Sequence, residues 1–329
     1  MTDALLEYGL FLAKTLTLVA AIVFVAGVMV NLSRRQREAE GLKVTSLNKR
    51  LRQAADGLRQ ALLPKAQRRQ LAKQRKQEEK ASRERRRKRV YVLDFRGDIR
   101  ASATNSLREE VSAVLAVAEK GDEVLLRLEN AGGLVHEHGL AASQLARISE
   151  RGIPLTVAVD KVAASGGYLM ACIADRILAA PFAVVGSIGV LAQIPNFRRM
   201  LDERGITVEQ IKAGRYKRTV SMFGDVTDED RDKLREELED VHTLFREMVA
   251  KHRPQLDLKR VGTGEHWYGT RALELGLVDE LGTSDDWLGR LVDEADVWKV
   301  EWRRHKRLVE KFATAMEESR LGQVLWPWR

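Results

Sequence analysis

The chain has 329 residues, 44% hydrophobic and 31% charged, which excludes both a polytopic membrane protein and a wholly disordered chain and leaves room for one large or two modest folded domains. The net charge of +9 would by itself point to nucleic acid, but residues 65–89 hold 13 Lys/Arg against only Glu78, Glu79 and Glu84, so the remainder is close to neutral. The single cysteine, Cys172, excludes an intramolecular disulfide, and its apolar run Tyr168-Leu-Met-Ala-Cys-Ile173 reads as a buried thiol.

Residues 15–33 carry no charge, and as a helix would span roughly 28 Å, close to the hydrocarbon thickness of a bilayer. The run is long for a cleaved leader, and Asn31-Leu-Ser-Arg-Arg35 is a poor cleavage site, so residues 1–33 are expected to be a retained membrane anchor. Arg34, Arg35 and Arg37 follow the span, which by the positive-inside rule places the rest of the chain in the cytoplasm. Residues 34–89 read as a basic tether: an irregular helical stripe (Leu42, Leu47, Leu51, Ala54, Leu58, Leu62) ending at Pro64, then a solvated stretch suited to anionic lipid. No aromatic side chain lies in 65–89 to stack on bases, so no nucleic-acid partner is expected.

A globular region is expected over 90–298, followed by a basic tail over 299–329. Val90-Tyr-Val-Leu-Asp-Phe95 predicts a strand, and Asn105 is positioned to cap an amphipathic helix running to Leu115. Val124–Leu128 predicts a second strand, then Gly132-Gly133 and a helix to about Ser149; Pro154–Val159 predicts a third strand, then a tight turn and an apolar helix from Gly166. Short strands follow at Arg176–Ala179 and Val184–Val190, and Thr227 starts a long charged helix to His252. Strands alternating with helices imply an α/β domain with a largely parallel sheet.

Three loops carry the chemistry. Glu129-Asn-Ala-Gly-Gly133 ends a buried strand on a double glycine, which either lets backbone N–H groups face a ligand or simply turns the chain into a helix. In Asp160-Lys-Val-Ala-Ala-Ser-Gly-Gly-Tyr168 a serine sits where strand meets helix; Ser165 is either an exposed nucleophile beside an anion-stabilising helix start or a helix N-cap. A serine nucleophile needs a base. Of the six histidines (His136, His138, His242, His252, His266, His305), none lies between Ser165 and His242, and His136-Glu-His138 lacks the i, i+4 spacing of a metal pair. The third loop, Lys212-Ala-Gly-Arg-Tyr-Lys-Arg-Thr219, offers Lys217, which is either a solvated basic residue or a base. A lysine acts as a base only when neutral, so its amine must titrate near 7–8 instead of about 10.4.

Val162-Ala-Ala-Ser-Gly-Gly-Tyr168, Val185-Gly-Ser-Ile-Gly-Val190 and Gly214-Arg-Tyr-Lys-Arg218 together resemble the signal peptide peptidase A family, most closely its SohB branch, as does the block from Gly264-Glu-His-Trp-Tyr-Gly269 to Gly276-Leu-Val-Asp279. The resemblance implies a Clp-protease/crotonase-like α/β fold behind the N-terminal transmembrane helix, and a cofactor-free, metal-free serine endopeptidase. Position by position it makes Ser165 the nucleophile and Lys217 the general base, with Ser187 holding the lysine amine and Gly133 and Gly166 supplying oxyanion-hole amides. It also implies peptide or protein substrates such as signal-peptide remnants, a homo-oligomer, and a periplasmic domain on a bacterial inner membrane, opposite to the placement the charges favour. The family usually has Ser-Pro before the double glycine; here Asn130-Ala131 leaves that loop less rigid but keeps its donors. A crotonase-type acyl-CoA enzyme, which would need neither Ser165 nor Lys217, and an inactive membrane scaffold are the rival functions.

Overall fold

The computed structural model describes residues 14–17, 19, 41–64, 67, 87–217, 219–292 and 294–303. The chain divides into two compact units, residues 1–43 with 302–329, and Val44–Glu301. In the first, Lys14–Thr17 and Val19 are helical and exposed. The anchor expected over 15–33 lies almost wholly outside the described residues, among which no helix is long and apolar enough to cross a membrane.

A seven-stranded sheet forms from β1 (Gly41–Ser46), β2 (Lys88–Arg96), β3 (Glu123–Glu129), β4 (Leu155–Val159), β6 (Arg176–Ala179), β9 (Glu280–Leu281) and β10 (Ala295–Arg303), in the order β1-β10-β2-β3-β4-β6-β9. From β10 through β9 every neighbouring pair is parallel. Side chains alternate between two apolar layers: Tyr91, Leu93 and Phe95 of β2 enter one core with Val124, Leu126 and Leu128 of β3, while Val90 and Val92 enter the other with Leu125, Leu178 and Val297. A sheet buried on both faces needs strands that are apolar at nearly every position, which is why these segments read as continuous hydrophobic runs. Each fully buried Leu, Val or Phe contributes about 1.5–3 kcal/mol.

Helices α2 (Thr104–Val117) and α3 (Val135–Glu150) cover the larger core, α2 through Leu107, Val111 and Val114 and α3 through Ala141, Ala142, Leu145 and Ile148. Asn105 does not cap α2: the helix starts one residue earlier, and Thr104 Oγ1 instead donates to Ala101 O at 2.7 Å. The long helix α6 (Asp228–His252) is closed by a capping box between Thr227 and Asp230, the start its sequence predicts.

The compact unit begins well before Val90. Helix α1 (Leu47–Leu62) belongs to it because Asn48, 7% exposed, donates to Val292 O and Ala295 O at 2.8 Å and accepts from Val297 N at 2.7 Å. An amide that satisfies three backbone groups at the start of β10 makes residues 44–62 part of the fold, although their composition reads as tether. At the other end β10 runs to Arg303, into the stretch expected as tail; residues 304–329 lie outside the described residues.

A small second sheet, β5 (Val162–Ala164), β7 (Val184–Gly186) and β8 (His266–Tyr268), is parallel between β5 and β7 and antiparallel between β7 and β8. A bridge between Asn130 and Ala163 joins it to the end of β3. The carboxyl ends of the main strands therefore open beside this sheet, where α/β folds place their ligands.

Candidate active site

Ser165 lies one residue beyond β5, at the entry to α4 (Gly166–Ala171). Its amide donates to Gly186 O at 2.8 Å, extending the β5–β7 ladder by one bond, and its own carbonyl accepts the Leu169 amide at 3.0 Å, starting the helix. To do both, the chain reverses within one residue, and Ser165 takes φ 53° and ψ −119°. A non-glycine residue held there stores about 1–3 kcal/mol of strain. It is the N-cap residue of α4 by position, but its side chain makes no capping bond to the helix, and the residue stays half-buried.

The two glycines after Ser165 allow backbones to approach. A Cβ on Gly167 would fall 2.1 Å from Asn130 O, and one on Gly166 would fall 2.5 Å from Cγ of His138. Tyr168, fully buried, donates its hydroxyl to Leu277 O at 2.9 Å and pins α4 from behind; burial pushes its phenol up out of the titrating range.

Over this turn passes the loop 130–134. Gly132, at φ +93°, comes so close that a Cβ on it would sit 2.8 Å from Ser165 Cβ and 2.9 Å from the Gly166 nitrogen. Gly133 presses on the loop after β2, where a Cβ would fall 2.2 Å from Ile99 O. The Gly132 amide donates to Asn130 Oδ1 at 2.9 Å. The Gly133 and Gly166 amides make no hydrogen bond to another described residue. Amides left without an internal partner are the kind of donor that can meet a developing oxyanion.

Ser187 lies one residue beyond β7, with φ 54° and its amide donating to Glu265 O at 2.6 Å. Ala164 pairs with Gly186, so Ser165 and Ser187 are neighbours across the small sheet. The structure thus gathers Ser165, Ser187, Gly133 and Gly166. Lys217 is exposed, in a turn closed by its amide on Gly214 O at 3.2 Å. Arg215 pairs with Glu229 and lies 5.2 Å over the ring of Tyr216; Arg218 is outside the described residues. Along residues 191–223, which include this turn, Leu191, Ile206, Ile211, Tyr216 and Phe223 are all exposed.

Sequence reasoning missed two residues at this site, Asn130 and His138. Both are buried, and His138 Nε2 lies 3.2 Å from Asn130 Oδ1. The signal was present for His138, which shares the buried stripe of α3 with Ala141, Ala142 and Leu145 at helical spacing. His136, two positions away, is exposed.

Two family models match the chain in succession: Peptidase family S49 N-terminal over residues 3–145 and Peptidase family S49 over 147–298. The sequence is 44% identical to "Probable protease SohB" of Haemophilus influenzae, covering 98% of this chain and 96% of that one. It is 51% identical to the protein of the same name from Buchnera aphidicola subsp. Acyrthosiphon pisum, covering 72% and 70%. Among solved structures, a mutant of the 1510-N membrane-bound stomatin-specific protease in complex with a substrate peptide is similar at 12% identity and TM-score 0.43, covering 71% of this chain and 99% of that chain.

Proposed function

The chain belongs to peptidase family S49, and from that premise we propose that it is a membrane-anchored serine endopeptidase working through a Ser165–Lys217 dyad and an acyl-enzyme. The observation that carries the proposal is the strained Ser165 turn with the Gly132–Gly133 loop crossing directly over it. In the first half-reaction the neutral Lys217 amine takes the Ser165 proton as Oγ attacks the scissile carbonyl. The Gly133 and Gly166 amides hold the oxyanion, and the leaving amine takes the proton back. In the second, the same amine draws a proton from water as it attacks the ester, then gives that proton to the departing Ser165 Oγ, which restores the hydroxyl and the neutral amine. Ser187 holds the lysine amine in place.

A lysine acts as a base only when neutral, and exclusion of water favours the neutral amine. In a homo-oligomer a second copy would cover the apolar side chains along residues 191–223 and exclude water from the Lys217 turn. That arrangement supports assembly and a site completed on assembly. Residues 15–33 anchor the enzyme as a single-pass helix in a bacterial inner membrane, and its substrates are peptides met at that surface, such as signal-peptide remnants or misfolded membrane-associated chains. The domain faces the periplasm, as in the resemblance, against the pull of the arginines after the span. Protease accessibility in spheroplasts decides the side.

The chemistry is tested with a fluorophosphonate probe and a fluorogenic peptide on the full chain in detergent. Labelling and cleavage are expected from the wild type and should vanish in Ser165→Ala and in Lys217→Ala. Acyl-CoA ester turnover that survives Ser165→Ala would instead assign the site to a crotonase-type reaction.

A further inference from the structure

We propose that Asn130 and His138 are positioning residues that lock the Gly132–Gly133 loop over Ser165, so that the Gly133 amide is aimed before substrate arrives; the proposal rests on Ser165 being the nucleophile. Neither Ala131 nor the two glycines constrain the loop by themselves, and glycine pairs at positive φ have many alternative conformations. Something outside the loop has to fix it.

Asn130 is itself immobilised. It is 1% exposed, its amide donates to Val162 O at 2.9 Å, and its carbonyl accepts from Ala164 N at 3.0 Å, so it is clamped between the two sheets. Glycine at 97 makes room for its side chain: a Cβ there would fall 2.4 Å from Asn130 Cγ. From that fixed point Oδ1 accepts the Gly132 amide at 2.9 Å and faces His138 Nε2 at 3.2 Å, while Nδ2 faces Met170 Sδ at 3.3 Å. The Gly132 bond fixes which way the amide group points, with its oxygen toward the loop and the histidine.

His138 closes the frame. It is fully buried, its Nδ1 lies 2.9 Å from Leu134 O, and its ring lies against Gly166. One imidazole therefore touches the far end of the loop at Leu134, the near end through Asn130, and the start of the helix that carries the other oxyanion donor. Both donors of the oxyanion hole are thereby referred to the same rigid ring. A displacement of about 1 Å at such a donor costs on the order of 100-fold in rate.

The test compares His138→Phe, which keeps the ring volume and removes both nitrogens, with His138→Gln, which keeps a donor near the Nε2 position. Kinetics are measured on the active enzyme, and amide hydrogen exchange across residues 129–138 in a Ser165→Ala background. His138→Phe should lower kcat and the rate of fluorophosphonate labelling by about 10- to 100-fold with KM within about twofold, and should speed exchange of the loop; His138→Gln should recover part of both. Asn130→Leu should behave like His138→Phe. If His138→Phe is folded and keeps wild-type kcat, the proposal is overturned whether or not exchange changes, and equal exchange in all three proteins overturns the locking itself. Should His138→Phe fail to fold, His138→Gln carries the comparison, and a wild-type kcat with altered loop exchange counts against the proposal. Wild-type protein that neither labels nor cleaves removes the nucleophile assignment and this proposal with it, an outcome visible before any variant is made.

Discussion

Ser165 and Ser187 stand side by side at the ends of two parallel strands, and both hold a left-handed backbone, φ 53° and 54°, that serine disfavours. Their strands β5 and β7 pair in register to Ala164 and Gly186, and the Ser165 amide bonds to the carbonyl just before Ser187. Two adjacent strained serines at one sheet end mark a place where stability has been given up for side-chain placement.

Replacing the second of them separates those quantities. Ser187→Gly should relieve the strain and raise stability by about 1 kcal/mol while slowing peptide cleavage by at least about tenfold, since the hydroxyl proposed to hold Lys217 is lost. Denaturant midpoints alongside kcat check both directions.

Gly132→Ala acts on geometry alone. The new methyl would meet Ser165 Cβ at 2.8 Å and sit on a backbone with φ +93°, so the loop must withdraw. Fluorophosphonate labelling should slow by about 100-fold or more while circular dichroism retains the α/β signature.

Asp94 supplies an acid sensitivity to the fold. It accepts from Arg127 Nε at 2.6 Å, Arg127 Nη2 at 2.9 Å and Lys299 Nζ at 2.8 Å. Burial alone would raise its pKa, but the hydrogen bonds and charges of Arg127 and Lys299 outweigh it and hold the carboxyl below the usual range. A group depressed in the folded state stabilises the fold fully above its ordinary value near pH 4 and loses that contribution as the pH falls through the folded value. Asp94→Asn should cost about 1 kcal/mol at pH 7, discounted because both partners are about a third exposed, and should flatten the decline of stability below pH 4. Urea midpoints between pH 2 and 7 measure it.

Cys172 should be silent in the native protein. It is fully buried, its thiol donates to Leu169 O at 3.2 Å, and burial pushes it up to about 12. Ellman's reagent at pH 8 should find no thiol in the folded chain and one per chain in guanidinium, with alkylation leaving peptidase activity intact.

The sequence pattern exposed what is periodic. Apolar runs located β2, β3, β4 and β6, Thr227 with Asp230 located the start of α6, and small residues around Ser165 located the turn. Contacts distant along the chain were hidden. Asn48 reads as one polar residue on a charged helix, and its bonds to residues some 245 positions away, beside the buried Leu47, make that helix structural. Likewise Asn130 looks like a turn residue and His138 like one of several dispersed histidines, because their partnership spans a loop whose path the residues do not spell out. Lys217 is the converse: legible as a motif, and exposed in the single chain.

The Asn48 amide ties Leu47–Leu62 to β10 without help from the polypeptide that connects them. A protease that nicked the chain between Leu63 and Arg87 would therefore produce two pieces that still migrate together in a native gel and part only under denaturant. Releasing the domain from its first residues thus takes a cut ahead of Leu47, and one between Leu63 and Arg87 does not do it.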